Sequence, residues 1–256
     1  GWTNVDTPFV RSKDGKSFVV VNPERSFDRP VGWMVAGAVG TRREFFDQME
    51  VSVGGPKGDV IRRNDMLAFF NALVPEFERA YGELPTKLLI VSAGDPMWRG
   101  GLSGPRSLFL HADRPLISEN GTSTLTHELT HVITRIRGAE DDDWIAEGLA
   151  EFYSIELLRR AGMVSPDRAE RSFRWMARHG RSIKTLTSAR SQGERTARAL
   201  SELQMRLPSR RSTSDSNCVT LPSASIRRMK ASRRDSSTYR RCWMSDRSAI
   251  SCSGEA

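Results

Sequence analysis

Short apolar runs broken by turn residues fill the first part of the chain, and longer stripes at helical spacing follow. Ser17–Asn22 (SFVVVN), Val31–Gly40 (VGWMVAGAVG) and Met49–Val53 (MEVSV) are punctuated by Pro, Gly, Asn and Asp, which predicts a β-rich region over residues 1–58. Gly54–Asp59 (GGPKGD) is the boundary this pattern suggests. Beyond it, Met66, Phe69, Phe70, Leu73, Val74 and Phe77 form one apolar stripe. They predict a helix capped at Asn64, kinked or split at Pro75 and ended by Gly82. Lys87–Ser92 (KLLIVS) reads as a buried strand and Ser107–His111 (SLFLH) as its neighbour, with a glycine-rich loop at Gly100–Gly104 before the second.

Three helices are expected after that. The polar cluster Ser118–Thr124 opens the first and Gly138 closes it. Its core stripe is Leu125, Leu129, Val132 and Ile136, and His127 and His131 fall on a different face. The second runs from about Asp143 to Arg160, with the acidic run Glu140–Asp143 serving as cap and dipole partner. Ser165–Pro166 opens the third, rich in arginine, which ends at Gly180. From residue 191 the expectation is a low-order tail. The class this order implies is α+β: a short β-rich N-terminal part, a domain of small sheet plus helices over residues 59–190, and an irregular C-terminal tail over 191–256.

Charge sharpens that division. The net charge is +8, but residues 206–256 carry ten Arg and one Lys against four acids, which leaves the rest of the chain near neutrality. All three cysteines (Cys218, Cys242, Cys252) and thirteen serines lie in the same stretch. The body therefore offers no disulfide and no thiolate metal site. Apolar residues in the tail show neither strand nor helix period. The abrupt change favours an out-of-frame continuation over a disordered basic tail or a nucleic-acid-binding arm, and nucleic acid is not the expected partner. No apolar run approaches the ~18 residues of a membrane span. Gly1 in place of Met suggests a fragment or processed product.

The candidate chemistry lies in Leu125–Thr134 (LTHELTHVIT) and Trp144–Tyr153 (WIAEGLAEFY). Residues four apart on a helix stand one turn apart and ~40° around it, so His127 and His131 can reach one ion. A catalytic zinc needs a third protein ligand and an open position for water. Glu147 and Glu151, one turn apart on the following helix, both qualify. Glu128 leans aside from the metal axis, where a carboxylate can hold a water on the ion and take its proton as that water attacks a carbonyl. A bare H-E-x-x-H arises by chance in roughly one chain in a hundred. The off-core face and the second acidic helix are what favour a metal.

HELTH followed by WIAEGLAEFY resembles the gluzincin zinc peptidases, and more broadly residues 30–190 resemble the glycyl-aminopeptidase-like, peptidase-MA-like branch. The resemblance implies one Zn2+ per chain held by His127, His131 and Glu147, Glu128 as general base, and Glu151 supporting the ligand set. It also implies that Ser107–His111 is an edge strand pairing with a peptide substrate, with Gly100 and Gly101 at the cleft rim and Ser107 and Leu108 on the strand. An envelope or secreted location fits the same resemblance. Three departures stand out. Fifteen residues separate His131 from Glu147, a shorter interval than in the familiar aminopeptidase branch. GGLSG lacks the glutamate that holds a free α-amine in the aminopeptidases, and no tyrosine occurs between Ser154 and Ser237 to stabilise an oxyanion. His179 is the remaining candidate for that donor, and His111 reads as a strand residue. The leading expectation is a zinc peptidase acting on peptide or protein substrates. The alternative is a catalytically impaired, metal-stabilised fold acting as a binding module or a truncated gene product.

Overall fold

The computed structural model describes residues 4–20, 31–138, 142–187, 190–206, 243–245 and 249–251. The protein is α+β, and the chain divides into two compact units. The first takes in residues 1–74, 84–117 and 123–133, the second residues 75–83, 118–122 and 134–256.

The first unit is built on a five-stranded sheet. Two small antiparallel ribbons precede it: β1 (Asn4–Asp6) pairs with β4 (Val35–Gly37), and β2 (Val10–Arg11) with β3 (Phe18–Val19). A hairpin follows, β5 (Val39–Phe46) with β6 (Met49–Pro56), turning through Asp47 at φ 51°. β7 (Lys87–Ala93) lies parallel to β6, β9 (Ser107–His111) parallel to β7, and β8 (Gly101–Gly104) antiparallel to β9. The order is β5-β6-β7-β9-β8. A parallel β6–β7 pair needs a long crossover, and the helix α1 (Arg63–Tyr81) lies in that connection. The interior strands read as unbroken apolar runs because both faces are covered: every residue of Lys87–Ser92 is buried.

Leu89, Val91 and Phe109 form one core cluster, with Trp33 and Val35 packed against it and the Trp33 and Phe109 rings 5.2 Å apart. Of the expected α1 stripe, Met66, Phe70, Leu73 and Phe77 are fully buried, Phe69 is buried and Val74 is half-buried. Each such side chain is worth roughly 1.5–3 kcal/mol of burial. Arg63, the first residue of α1, is a clamp: its guanidinium donates to the carbonyls of Gly40 at 2.9 Å, Gly55 at 3.0 Å and Pro56 at 2.9 Å. α1 continues through Pro75 as one helix and ends at Gly82, φ 78°, whose N–H bonds to the Glu78 carbonyl.

The second unit is helical over most of its described residues. α3 (Trp144–Arg160), α4 (Pro166–His179) and α5 (Glu194–Arg206) pack together. α4 has the ends its sequence promised: Ser165 Oγ accepts from the Arg168 N–H, Pro166 occupies the first turn and Gly180 is the C-cap. Gly148 of α3 meets α5 so closely that a Cβ there would sit 2.8 Å from Leu203 Cδ1 and 3.0 Å from Ala199 Cβ. Tyr81 and Tyr153 meet edge to face at 5.2 Å. A short ribbon, β10 (Trp243–Ser245) with β11 (Ala249–Ser251), is described far along the tail.

Several expectations change. The low-order stretch expected from residue 191 begins with a helix, α5, whose Ala197, Leu200 and Ser201 are buried at i, i+3, i+4 spacing. The loop expected at Gly100–Gly104 is largely the strand β8, and β8 rather than Ser107–His111 forms the sheet edge among the described residues. The helix expected to reach Gly138 stops at Thr134, because Arg135 takes the left-handed conformation at φ 55°. Asp143 makes no side-chain cap; its Oδ1 instead accepts from the Ser191 N–H at 2.7 Å. Glu140 and Asp141 lie outside the described residues.

Candidate metal centre

The motif helix, α2 (Thr124–Thr134), is anchored at its start by Ser123, whose Oγ accepts from Thr126 N–H at 3.2 Å and whose carbonyl accepts from His127 N–H at 2.9 Å. Leu125, Leu129 and Val132 point into the core as the periodicity requires, while Thr126, Thr130 and Thr134 are buried beside them. That leaves one sector of the helix for His127 and His131, which are half-buried. Their Nε2 atoms face each other at 3.1 Å, with the rings 4.9 Å apart and steeply inclined. Two Zn–N bonds of ~2.0–2.1 Å at a tetrahedral angle would hold their nitrogens roughly 3.3 Å apart.

Glu147 completes a group. It lies in the first turn of α3, and one ligand atom from each of His127, His131 and Glu147 falls within 4.8 Å of the others. Two imidazoles and one carboxylate are a borderline, nitrogen-and-oxygen donor set of the kind zinc accepts, with a fourth position left for water. Among the described residues this is the one such cluster of metal-binding type. Glu151 stands one turn further along α3 and is not among the three.

Glu128 is nearly buried, 9% exposed, about 100° around α2 from His127. What lies against it is the edge strand. A Cβ on Gly101 would come within 2.7 Å of Glu128 Cγ, 3.0 Å of its Oε1 and 2.7 Å of Thr124 Cγ2. Glycine at 101 is thus what lets the β8 backbone lie on the glutamate. Sequence reasoning placed Gly101 at a cleft rim but missed this contact, since only the strand register reveals which face the glycine presents.

The remaining expected residues are dispersed. Gly100 is buried beneath the Trp98 indole, and its carbonyl accepts from His111 N–H at 3.0 Å. Ser107 and Leu108 belong to the interior strand β9 and are fully buried. Ser107 Oγ is committed to the fold, accepting from Trp33 N–H at 2.8 Å and lying 3.1 Å from the Pro105 carbonyl. His111 is 1% exposed and takes the Asp113 N–H on Nδ1 at 3.2 Å, in keeping with a strand residue. His179 ends α4 stacked on Trp175 at 4.6 Å and is not part of the metal-ligand group.

No family model matches the chain, and no curated relative does. Among solved structures it is similar to an aminopeptidase N family protein from Idiomarina loihiensis, with 15% identity and a TM-score of 0.48 over 70% of this chain and 34% of that one. It is also similar to a mutant M1 zinc metallopeptidase from Deinococcus radiodurans bound to a Tyr-Ser-Ala substrate, with 12% identity and a TM-score of 0.42 over 66% of this chain and 39% of that one. The chain spans between a third and two-fifths of the length of these two proteins.

Proposed function

We propose that the protein is a zinc-dependent peptidase in which His127, His131 and Glu147 hold the ion and Glu128 is the general base. The observation that carries this reading is the convergence of two imidazoles and a carboxylate, one ligand atom from each within 4.8 Å of the others, with a glutamate next to the first histidine. Bound zinc supplies Lewis acidity toward a carbonyl oxygen and makes a neighbouring water acidic enough to give up its proton near neutral pH. Glu128 takes the proton of the attacking water and returns it to the departing amine. Its partial burial beneath β8 keeps the carboxylate aimed and limits competing water. Glu151, one turn beyond Glu147, is assigned to supporting the ligand set. A peptide lying along the edge strand β8 would bring its carbonyls past Glu128, which replaces Ser107–His111 in that role.

The test is a pair of measurements on the intact chain. Elemental analysis should find about one zinc per molecule, and a peptide library should be cleaved. Glu128→Gln should keep the zinc and lose at least 100-fold in hydrolysis, the low end of what a positioned acid–base group contributes. Hydrolysis that survives in Glu128→Gln removes the base assignment. Zinc uptake without any turnover would favour the metal-stabilised, non-hydrolytic role. Absence of zinc ends both readings.

A further inference from the structure

The charge census of the sequence hides a local concentration. On α4, Arg168, Arg171, Trp175 and Arg178 fall within about 80° of the helix circumference, flanked by Arg174. Ala169, Ser172 and Met176 occupy the buried side. Together with Glu119 and Asn120 these arginines and Trp175 line a cavity of about 470 Å3. Its geometry is partly fixed. Arg168 Nη2 donates to the Ser118 carbonyl at 2.9 Å, which holds the 118–122 loop over the first turns of the helix. Arg174 reaches back to Glu170 at 2.9 Å. Trp175 has one ring face stacked on His179, their planes 19° apart.

Two physical features separate this face from an ordinary solvated one. Arg168 and Arg171 are like-charged neighbours at i, i+3, and Arg174, although paired with Glu170, adds a further positive charge beside Arg171 and Arg178, an arrangement that disfavours a helix and that a bound anion would relieve. The guanidinium forks match phosphate oxygens, and an indole backed by a second ring offers a planar surface beside them. From Arg168 to Arg178 the helix advances ~15 Å, long enough for a ring and a short phosphate chain. We propose that this face of α4 binds a nucleoside phosphate, with Arg171 and Arg178 on the phosphates and Trp175 against the base. The inference is independent of the metal centre and of the reaction assigned to it.

The test uses the full chain at about 150 mM salt, where weak surface attraction is screened. Inorganic phosphate, adenosine and ADP are titrated by calorimetry, and zinc content is measured afterwards. ADP should bind saturably and more tightly than either component. Arg171→Glu combined with Arg178→Glu should weaken ADP at least tenfold with an unchanged melting temperature, since both side chains are exposed. Trp175→Ala should reduce ADP to the affinity of inorganic phosphate. Three outcomes overturn the proposal: no saturable ADP binding, equal binding by the double charge-reversal variant, or tight binding of a single-stranded oligonucleotide with none of ADP.

Discussion

Gly101 shows how one missing side chain can govern another residue's chemistry. A methyl group there would press on Glu128 Cγ and Thr124 Cγ2, both at 2.7 Å, so β8 or the glutamate must move. Glu128 lies outside the three-residue ligand group. Gly101→Ala should therefore leave zinc content unchanged while kcat falls at least tenfold, about 1.4 kcal/mol of barrier; equal kcat in the two proteins would show that the contact is slack. Glu156 is held by two arginines on its own helix. Burial pushes its carboxyl up, but hydrogen bonds from Arg159 at 2.8 and 2.7 Å and Arg160 at 2.8 Å outweigh that and hold it below its ordinary 4.5. A carboxyl depressed on folding stabilises the protein above its unfolded pKa, and that contribution is lost as pH falls through the folded value. Glu156→Gln should cost roughly 1–3 kcal/mol at pH 7. The gap between variant and wild type in chemical denaturation should close below about pH 4; a gap constant with pH would deny the ion pairs any role.

At the scale of elements, the sequence was readable where one segment carries its own signals. α4 announces both ends, with Ser165 and Pro166 opening it and Gly180 closing it. The apolar run of β7 and the stripe of α1 likewise need no knowledge of their partners. What stayed hidden depends on pairing. β5 (VGTRREFF) carries four polar residues in a row, as suits a strand at the sheet edge among the described residues, and only its ladder with β6 reveals it. β8 is four residues of Gly, Leu and Ser that resemble a loop until β9 is laid beside them. α5 has a buried face because α3 and α4 pack against it, with Gly148 of α3 lying close to Ala199 and Leu203. That contact makes a prediction: Gly148→Ala forces α5 outward and should lower stability by roughly 1–3 kcal/mol through overpacking. Because Glu147 is the adjacent residue, zinc affinity should fall with it, measured by competition with a chromogenic chelator. Unchanged stability would mean that α5 adjusts without strain.

For the molecule as a whole, the candidate site is the most legible feature, and the reason is geometric. His127, Glu128 and His131 lie within five residues of one helix, so helical periodicity alone fixes which side chains can share an ion. Glu147 is less legible, since spacing leaves it level with Glu151 and only the WIAEGLAEFY resemblance favours it; the cluster within 4.8 Å contains Glu147. Its candidate ligands are on two helices, His127 and His131 on α2 and Glu147 on α3. An ion bound there should therefore stabilise the folded chain by mass action. With free zinc at about 100 times its Kd the gain is ~2.7 kcal/mol. For a chain of this size that corresponds to a rise in Tm of roughly 5–10 °C. Removal of zinc by chelation should lower Tm by that amount and its return should restore it, while His131→Ala should melt at the lower temperature with or without zinc. If chelation shifts wild type and His131→Ala equally, the metal that matters is held elsewhere, and the assignment of these two helices to zinc fails with it.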